Sequence, residues 1–421
     1  MKVFKFGGAS ISTLERIEQT VSILQAYQNE PLLIIISAMG KTTNALEKVV
    51  DAFYGGQRDQ ALQLFEQVKH QHLQTAKYLL VKQYLPTEQA MLNFFTEVEW
   101  LLYDQPVREY DYYYDQIVCV GELLATTLVS AYWNEKNCPN TWLDVRDILR
   151  TDAHFRDANI DWSTTTQKTK QQIEPLSRAG GLVVTQGFVG ATDENESTTL
   201  GREGSDFSAA IFAHILEADE LIIWKDVPAV MNADPKSFPN AVALPELHYE
   251  EVIEMAYYGA QVIHPKTIKP LQNKHIPLQV KSFLDPQAPG TRIHQRRINN
   301  LPPIIVKKEN QVLLTFQSVD YSFVGEAPLA ALYQLFAAEN IRPNLTQNGA
   351  IRFLCCLDDK QSVLDTLIAA VAQWFDVQVE RNLTLLTIRH GNEALASELV
   401  GGRQIVLEQA SADTWQALLR G

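Results

Sequence analysis

The run Leu32-Leu33-Ile34-Ile35-Ile36 limits the architecture of this chain more than any other stretch. Five consecutive aliphatic residues, entered through Pro31, offer no polar face to water. Such a strand belongs inside a parallel sheet covered on both sides. A first partner precedes it: Lys2 to Phe6 reads as a strand, and Gly7-Gly8-Ala9-Ser10 turns the chain. Ser12-Thr13-Leu14-Glu15 then has capping-box spacing, and Leu14, Ile17, Val21 and Leu24 fall on one face of a helix over 13–28.

The same rhythm continues. A helix is expected at 42–54, and 57–136 reads as mostly helical with breaks near Pro86 and Pro106. Strands follow at 141–145, 181–186, 221–224 and 277–282, with helices at 161–178, 205–217, 249–258 and 265–274. This alternation predicts an α/β fold, a mainly parallel sheet sandwiched by helices, with ligands at the carboxyl ends of its strands. Near 295–303 the composition shifts to a linker. Beyond it the order strand 311–317, helix 328–339, strands 343–347 and 351–357, helix 360–373 and strand 375–380 is ferredoxin-like α+β. A second round starts at 383–388, after which a strand at 404–409 and a helix at 411–420 are expected, so this second module reads as truncated. The division is 1–296 for the first domain and 297–421 for the second.

A net charge of −14 argues against nucleic acid or an anionic membrane as the main partner. The sequence shows no signal peptide and no apolar run of membrane-spanning length, which places the expected location in the cytoplasm. Cys119, Cys138, Cys355 and Cys356 lack metal-ligand spacing and read as buried free thiols of a reducing compartment.

Chemistry concentrates at predicted strand ends. Two glycines after the first strand let the backbone approach a ligand closely, and Lys5 sets a positive charge beside them. Ser37-Ala38-Met39-Gly40-Lys41-Thr42-Thr43-Asn44 suggests a phosphate loop, but the first glycine of that motif would fall at Ile35, so the spacing fails. A hydroxyl-rich strand end, Ser37 and Thr43, remains. Glu122 is a lone carboxylate in the apolar stretch Val120 to Leu124, suited either to a structural ion pair or to a substrate ammonium. The densest segment runs from Thr185-Gln186-Gly187-Phe188 through Thr199-Leu200-Gly201-Arg202-Glu203-Gly204-Ser205-Asp206. There Arg202 can fork onto a carboxylate, and amides beside Gly204 can meet phosphate oxygens. The Tyr110 to Asp115 cluster reads as a half-buried helix start, and His264 as a hydrogen-bonded structural histidine.

Together these stretches resemble the aspartate kinases of the amino-acid kinase superfamily. The motifs that carry the resemblance are Lys5 to Gly8, Ser37-Ala38 with Thr43-Asn44, Gly121-Glu122, Thr199 to Asp206, and Gly259 to Pro265. The tail resembles ACT regulatory modules. The resemblance implies ATP- and magnesium-dependent phosphorylation of the aspartate β-carboxylate, the first step toward lysine, threonine and methionine. By motif, Lys5 and Asp206 are catalytic; Ser37, Thr43, Glu122, Phe188, Arg202, Gly204 and Ser205 bind substrate. Lys5, Phe6, Gly7, Gly8, Lys225, Asp226, Met231, Lys236, Gln261 and Val262 occupy nucleotide positions. Phosphates hold the metal, with no protein metal site, and the ACT-like region joins a homodimer. Lys225, Met231, Lys236 and Gln261 replace a usual threonine, tyrosine, arginine and lysine. Where lysine-sensitive relatives have an aspartate and a serine–glutamate pair, this chain has Asn344 and Gly349-Ala350, so lysine inhibition is expected to be weak or absent. The rivals are a glutamate or acetylglutamate kinase and a non-catalytic amino-acid sensor. The Arg202/Glu122 pairing, the tail and an intact Lys5, Arg202 and Asp206 set favour an aspartate kinase.

Overall fold

β1 (Lys2–Phe6) and β2 (Leu32–Ile36) lie parallel, Lys2 against Leu32 and Phe6 against Ile36, joined through α1 (Leu14–Ala26). All five residues of β2 are buried, at about 1.5–3 kcal/mol of burial free energy per large aliphatic side chain. This is the answer to the aliphatic run. The cap of α1 sits one residue later than the capping box predicts: Thr13 accepts from the Arg16 amide, while the Ser12 hydroxyl donates to the Ala9 carbonyl. The computed structural model describes residues 1–28, 30–320 and 323–421.

The helical stretch is α2 (Thr42–Tyr54), α3 (Arg58–Leu79), α4 (Tyr84–Tyr103), α5 (Tyr110–Val118) and α6 (Val120–Glu135). Then come β3 (Asn140–Trp142), α7 (Trp162–Gln172), α8 (Glu174–Arg178), β4 (Leu182–Gln186), and a hairpin of β5 (Val189–Ala191) with β6 (Ser197–Thr199). α9 (Gly204–Ile215), β7 (Glu220–Lys225), β8 (Glu246–His248), α10 (Tyr249–Tyr258), α11 (Pro265–Lys274), β9 (Leu278–Ser282) and β10 (Thr291–His294) follow. The main sheet runs β3-β4-β2-β1-β7-β9-β10-β8, parallel except where β10 meets β9. Short β8 and β10 escape sequence reading because three or four residues carry too little periodicity. Phe6 stacks on Trp224 at 6.1 Å and 9° in the core on one face of this sheet. The stretch Tyr110–Glu135 does have membrane-spanning length and hydropathy, contrary to the sequence expectation, but 83% of its apolar window is buried, as in a core helix pair.

Residues Met1–Val230, Ala243–Ile253 and Gln261–Ile298 form one compact unit; Met231–Val242, Glu254–Ala260 and Asn299–Gly421 form another. The second contains β11 (Ile304–Ser318), α12 (Glu326–Ala338), β12 (Leu345–Asn348), β13 (Arg352–Asp358), α13 (Gln361–Val371), β14 (Phe375–Arg389), α14 (Glu393–Val400), β15 (Ile405–Ala410) and β16 (Thr414–Arg420). Its antiparallel sheet runs β12-β13-β11-β14-β16-β15. Val312, Leu314, Phe316, Phe353 and Phe375 of the sheet pack with Leu332, Phe336, Leu364 and Leu367 of α12 and α13.

The predicted helix at 411–420 is β16, a strand paired to β14 from Leu383–Arg420 through Arg389–Thr414. Ala417 and Leu419 pack in one buried cluster and Leu418 in another. Both faces are covered, so tertiary burial overrides the helix preference of Ala and Leu. The helix of this half is α14 instead. Asn392 caps it by accepting from the Leu395 amide, and Gly401 ends it at φ +60°. β14 is one continuous strand where two were expected, and β11 reaches back to Ile304.

Candidate active site

Three loops leave the carboxyl ends of β1, β2 and β4 and are stitched together. The Ser37 amide donates to Phe6, the Gly40 amide to Gly8, and the Gly187 amide to Ile36, each at 3.0–3.1 Å. The glycines make this approach possible. A Cβ on Gly8 would lie 2.7 Å from the Ala38 carbonyl oxygen, and one on Gly187 would lie 2.6 Å from the Ser205 Cβ.

These loops, with the starts of α2, α6 and α9, enclose a cavity of about 520 Å³ within the first unit. All seven residues predicted to bind substrate line it, as do Lys5, Gly8 and Asp206. Strand alternation puts Lys5 on the opposite face from Phe4 and Phe6. The Lys5 Nζ lies 2.7 Å from Asp206 Oδ1, and both residues are buried. Burial alone would push the Asp206 carboxyl up, but the Lys5 and Lys225 ammoniums hold it below the usual carboxylate range. The lysine is thereby anchored in a fixed position at the cavity floor.

Glu122, in the first turn of α6, is 3% exposed. Its Oε1 accepts the Ala38 amide at 3.1 Å, while Oε2 has no hydrogen-bond partner among the described residues. Burial raises this carboxyl to about 8, with the Ala38 amide and Lys5 opposing the shift. A buried carboxylate oxygen without a donor is costly, about 1–3 kcal/mol or more, unless a ligand supplies one.

The cavity wall is also strained. Phe188, Glu203 and Arg156 are non-glycine lining residues with left-handed φ of +69°, +55° and +68°. Each is pinned by a hydrogen bond: Phe188 N–H to Ser208 Oγ, Glu203 Oε2 from the His264 amide, and Arg156 N–H to Asp115 Oδ2, all at 2.9 Å. Such backbone persists only where its surroundings over-determine it, as at functional sites. His264 also caps α11, accepting from the Lys266 amide, which is the structural part expected of it.

Glu47, Tyr114, Arg156, Thr199 and Glu203 line the cavity without having been singled out as site residues. The tyrosine cluster does open a helix, α5, but Tyr114 reaches the cavity and donates to Glu47 at 2.9 Å. Asp115 is fully buried and accepts the Thr199 amide, the Thr199 hydroxyl and the Arg156 amide. Burial lifts its carboxyl to about 6 against those three donors.

The nucleotide positions are less gathered. The Phe6 ring faces the core. Gly7, Lys225, Asp226, Gln261 and Val262 lie outside the cavity lining, although Lys225 Nζ donates to the Val262 carbonyl at 2.6 Å. Met231 and Lys236 belong to the segment 231–242 of the second unit.

Comparison with known proteins places the chain in a family. The profile of the Amino acid kinase family matches residues 1–282. Lysine-sensitive aspartokinase 3 of Escherichia coli (strain K12) is 29% identical over 397 residues, which cover 92% of this chain and 86% of that protein. Chloroplastic aspartokinase 2 of Arabidopsis thaliana is 32% identical over 408 residues, 92% of this chain and 73% of its own length. The crystal structure of E. coli aspartokinase III in complex with aspartate and ADP superposes with a TM-score of 0.84 at 27% identity, covering 100% of this chain and 96% of that one. With the family profile covering two thirds of the chain, all of the cavity lining included, and a 32% identical aspartokinase matched over most of its length, the chain belongs to the amino acid kinase family and, within it, to the aspartokinases.

Proposed function

We propose that this chain transfers the γ-phosphoryl group of ATP to the β-carboxylate of L-aspartate, giving 4-phospho-L-aspartate. The observation that carries the reading is the unfilled Glu122 Oε2 in the same cavity as Arg202 and the Lys5–Asp206 pair. Glu122 takes the α-ammonium and Arg202 forks onto the α-carboxylate, which leaves the β-carboxylate free to react. Ser37, Thr43, Phe188 and Ser205 shape the pocket around it. A carboxylate is already nucleophilic at neutral pH, so positioning and charge neutralisation suffice for transfer. Lys5, held by Asp206, neutralises the transferring group, helped by the backbone of Gly7, Gly8 and Gly204. Lys225, Asp226, Met231, Lys236, Gln261 and Val262 serve the nucleotide. Magnesium is expected to ride on the phosphates, which fits a cavity where Asp206 is already engaged by Lys5.

The division of labour we infer is catalysis in 1–296 and an ACT-like regulatory and dimer-forming region in 297–421. The sheet of that region has two open edges, β12 and β15, through which a second copy could add strands. Lysine inhibition is weak or absent in this reading. Asn344 stands where lysine-sensitive relatives have an aspartate, and its side chain is already bonded to Lys308, Gln311 and Asp358 of the same chain. The product would enter lysine, threonine and methionine synthesis, in the cytoplasm.

The test is hydroxamate formation from Mg-ATP and hydroxylamine with aspartate or glutamate. Signal with aspartate alone supports the reading; signal with glutamate alone, or with neither, overturns it. Strong inhibition at sub-millimolar lysine would overturn the regulatory part.

A further inference from the structure

The loop carrying Arg156 is built against the signature segment of the cavity. The buried Asp115 carboxylate takes the Arg156 amide at 2.9 Å together with the Thr199 amide at 2.8 Å and hydroxyl at 2.6 Å, so one group fixes both strands of chain. A Cβ on Gly201 would sit 2.7 Å from Asp157 Oδ1 and 3.2 Å from the Arg156 carbonyl oxygen, which shows that the loops are in contact. Arg156 holds its place at φ +68°, where glycine would be unstrained and a long side chain is disfavoured. The local backbone conformation therefore gains nothing from arginine here. Whatever the residue contributes comes from its side chain.

That side chain lies at the cavity mouth. The guanidinium carbon is 4.4 Å from the centre of the Tyr114 ring, itself a wall residue, and the group pairs with Asp111 at 3.0 Å. Both members of that ion pair are about half exposed, at 46% and 52%, so it exchanges at little cost. The charge count of the cavity gives the guanidinium a task. Lys5, held by Asp206, is committed to the transferring phosphoryl group, leaving Arg202 and Arg156 as the cations of the described lining free for the amino acid. The substrate proposed above brings two carboxylates. We propose that Arg156 is a second guanidinium ligand for the amino-acid substrate, closing the mouth of the pocket over the α-carboxylate beside Arg202 and leaving the β-carboxylate free to react. This inference rests on the aspartate-kinase reading.

Arg156→Gly is an unusually clean test, because it deletes the guanidinium and relieves the backbone. The expected result is an unchanged or raised melting temperature, an unchanged KM for ATP and a kcat close to the parent. KM for aspartate should rise about tenfold, the signature of lost substrate binding. Arg156→Lys, which keeps the charge but loses the fork, should fall between the two. An unchanged aspartate KM in Arg156→Gly overturns the inference. So does a joint change in kcat, both KM values and melting temperature, which would indicate a structural part only. If the parent protein forms no aspartyl hydroxamate, the functional reading and this inference fall together; if it does and KM is unmoved, only this inference falls.

Discussion

Each of the two units sets a lysine beside a carboxylate, and the two clusters are finished differently. In the second unit Lys308 Nζ donates to Asn344 Oδ1 at 2.7 Å, and Asn344 Nδ2 donates to Gln311 Oε1 and Asp358 Oδ1 at 2.7 and 2.9 Å. Gln311 Nε2 returns to Asp358 at 3.0 Å. Burial and these neighbours act in opposite directions on Asp358; the donated hydrogen bonds and Lys308 prevail and hold it below the usual range. In the first unit Lys5 and Asp206 form an ion pair at 2.7 Å, but Glu122 keeps an empty oxygen and an elevated carboxyl in the same cavity. A closed polar network adds rigidity, whereas an open one is a loss of stability that a ligand must recover. The contrast marks one cluster as scaffold and the other as site.

Exchanging the lysines is the strongest way to break that contrast. Lys5→Ala should reduce hydroxamate formation by about three orders of magnitude, since it removes the cation that meets the transferring phosphoryl group. Lys308→Met should leave turnover unaffected and lower stability by about 1–3 kcal/mol, because it removes a donor from Asn344 and a countercharge from Asp358. Chemical denaturation read beside the activity assay checks both. A Lys308 variant that loses turnover while keeping its stability would show that the closed cluster is not scaffold alone.

Glu122→Gln sharpens the comparison from the other side. Replacing the carboxylate should raise KM for aspartate about a hundredfold, the scale of a lost charge-assisted contact to a buried group. The same change should raise the melting temperature, because a neutral amide no longer carries the desolvation penalty of a buried acid. Loss of affinity with gain of stability is what an open cluster predicts; loss of both would place Glu122 in the scaffold.

The sequence makes the first kind of cluster far easier to read than the second. Lys5, Glu122, Arg202 and Asp206 announce themselves as charges in apolar or glycine-rich surroundings, and the cavity brings them together. Arg156 and Asp115 did not, since a positive φ and a shared carboxylate exist only once two loops meet. The second unit shows the same limit. Its first half keeps clean periodicity, but Thr414–Arg420 carries helix-forming residues into a strand because β14 and β15 pair with it on both sides. The nucleotide positions remain spread over segments that only the family resemblance had joined.

The smallest effect expected is the pH dependence of substrate binding. With Glu122 at about 8 in the empty pocket, the group is mostly protonated at pH 7 and must release that proton to hold an ammonium. Aspartate KM should therefore fall as pH rises, by about fivefold between pH 7 and 8, and level off above 8 to 9. The sign for stability is opposite. Between the unfolded value of 4.5 and about 8 the folded chain holds a proton that the unfolded chain has released, so this group makes folding less favourable with each rise in pH across that window. Lys308 and Asp358, both bonded to Asn344, should add no such slope to KM. Measuring aspartate KM and melting temperature from pH 6.5 to 9 in the parent and in Glu122→Gln separates the two clusters. If the slope of KM survives in Glu122→Gln, the titrating group lies elsewhere and the open oxygen is not the ammonium's partner.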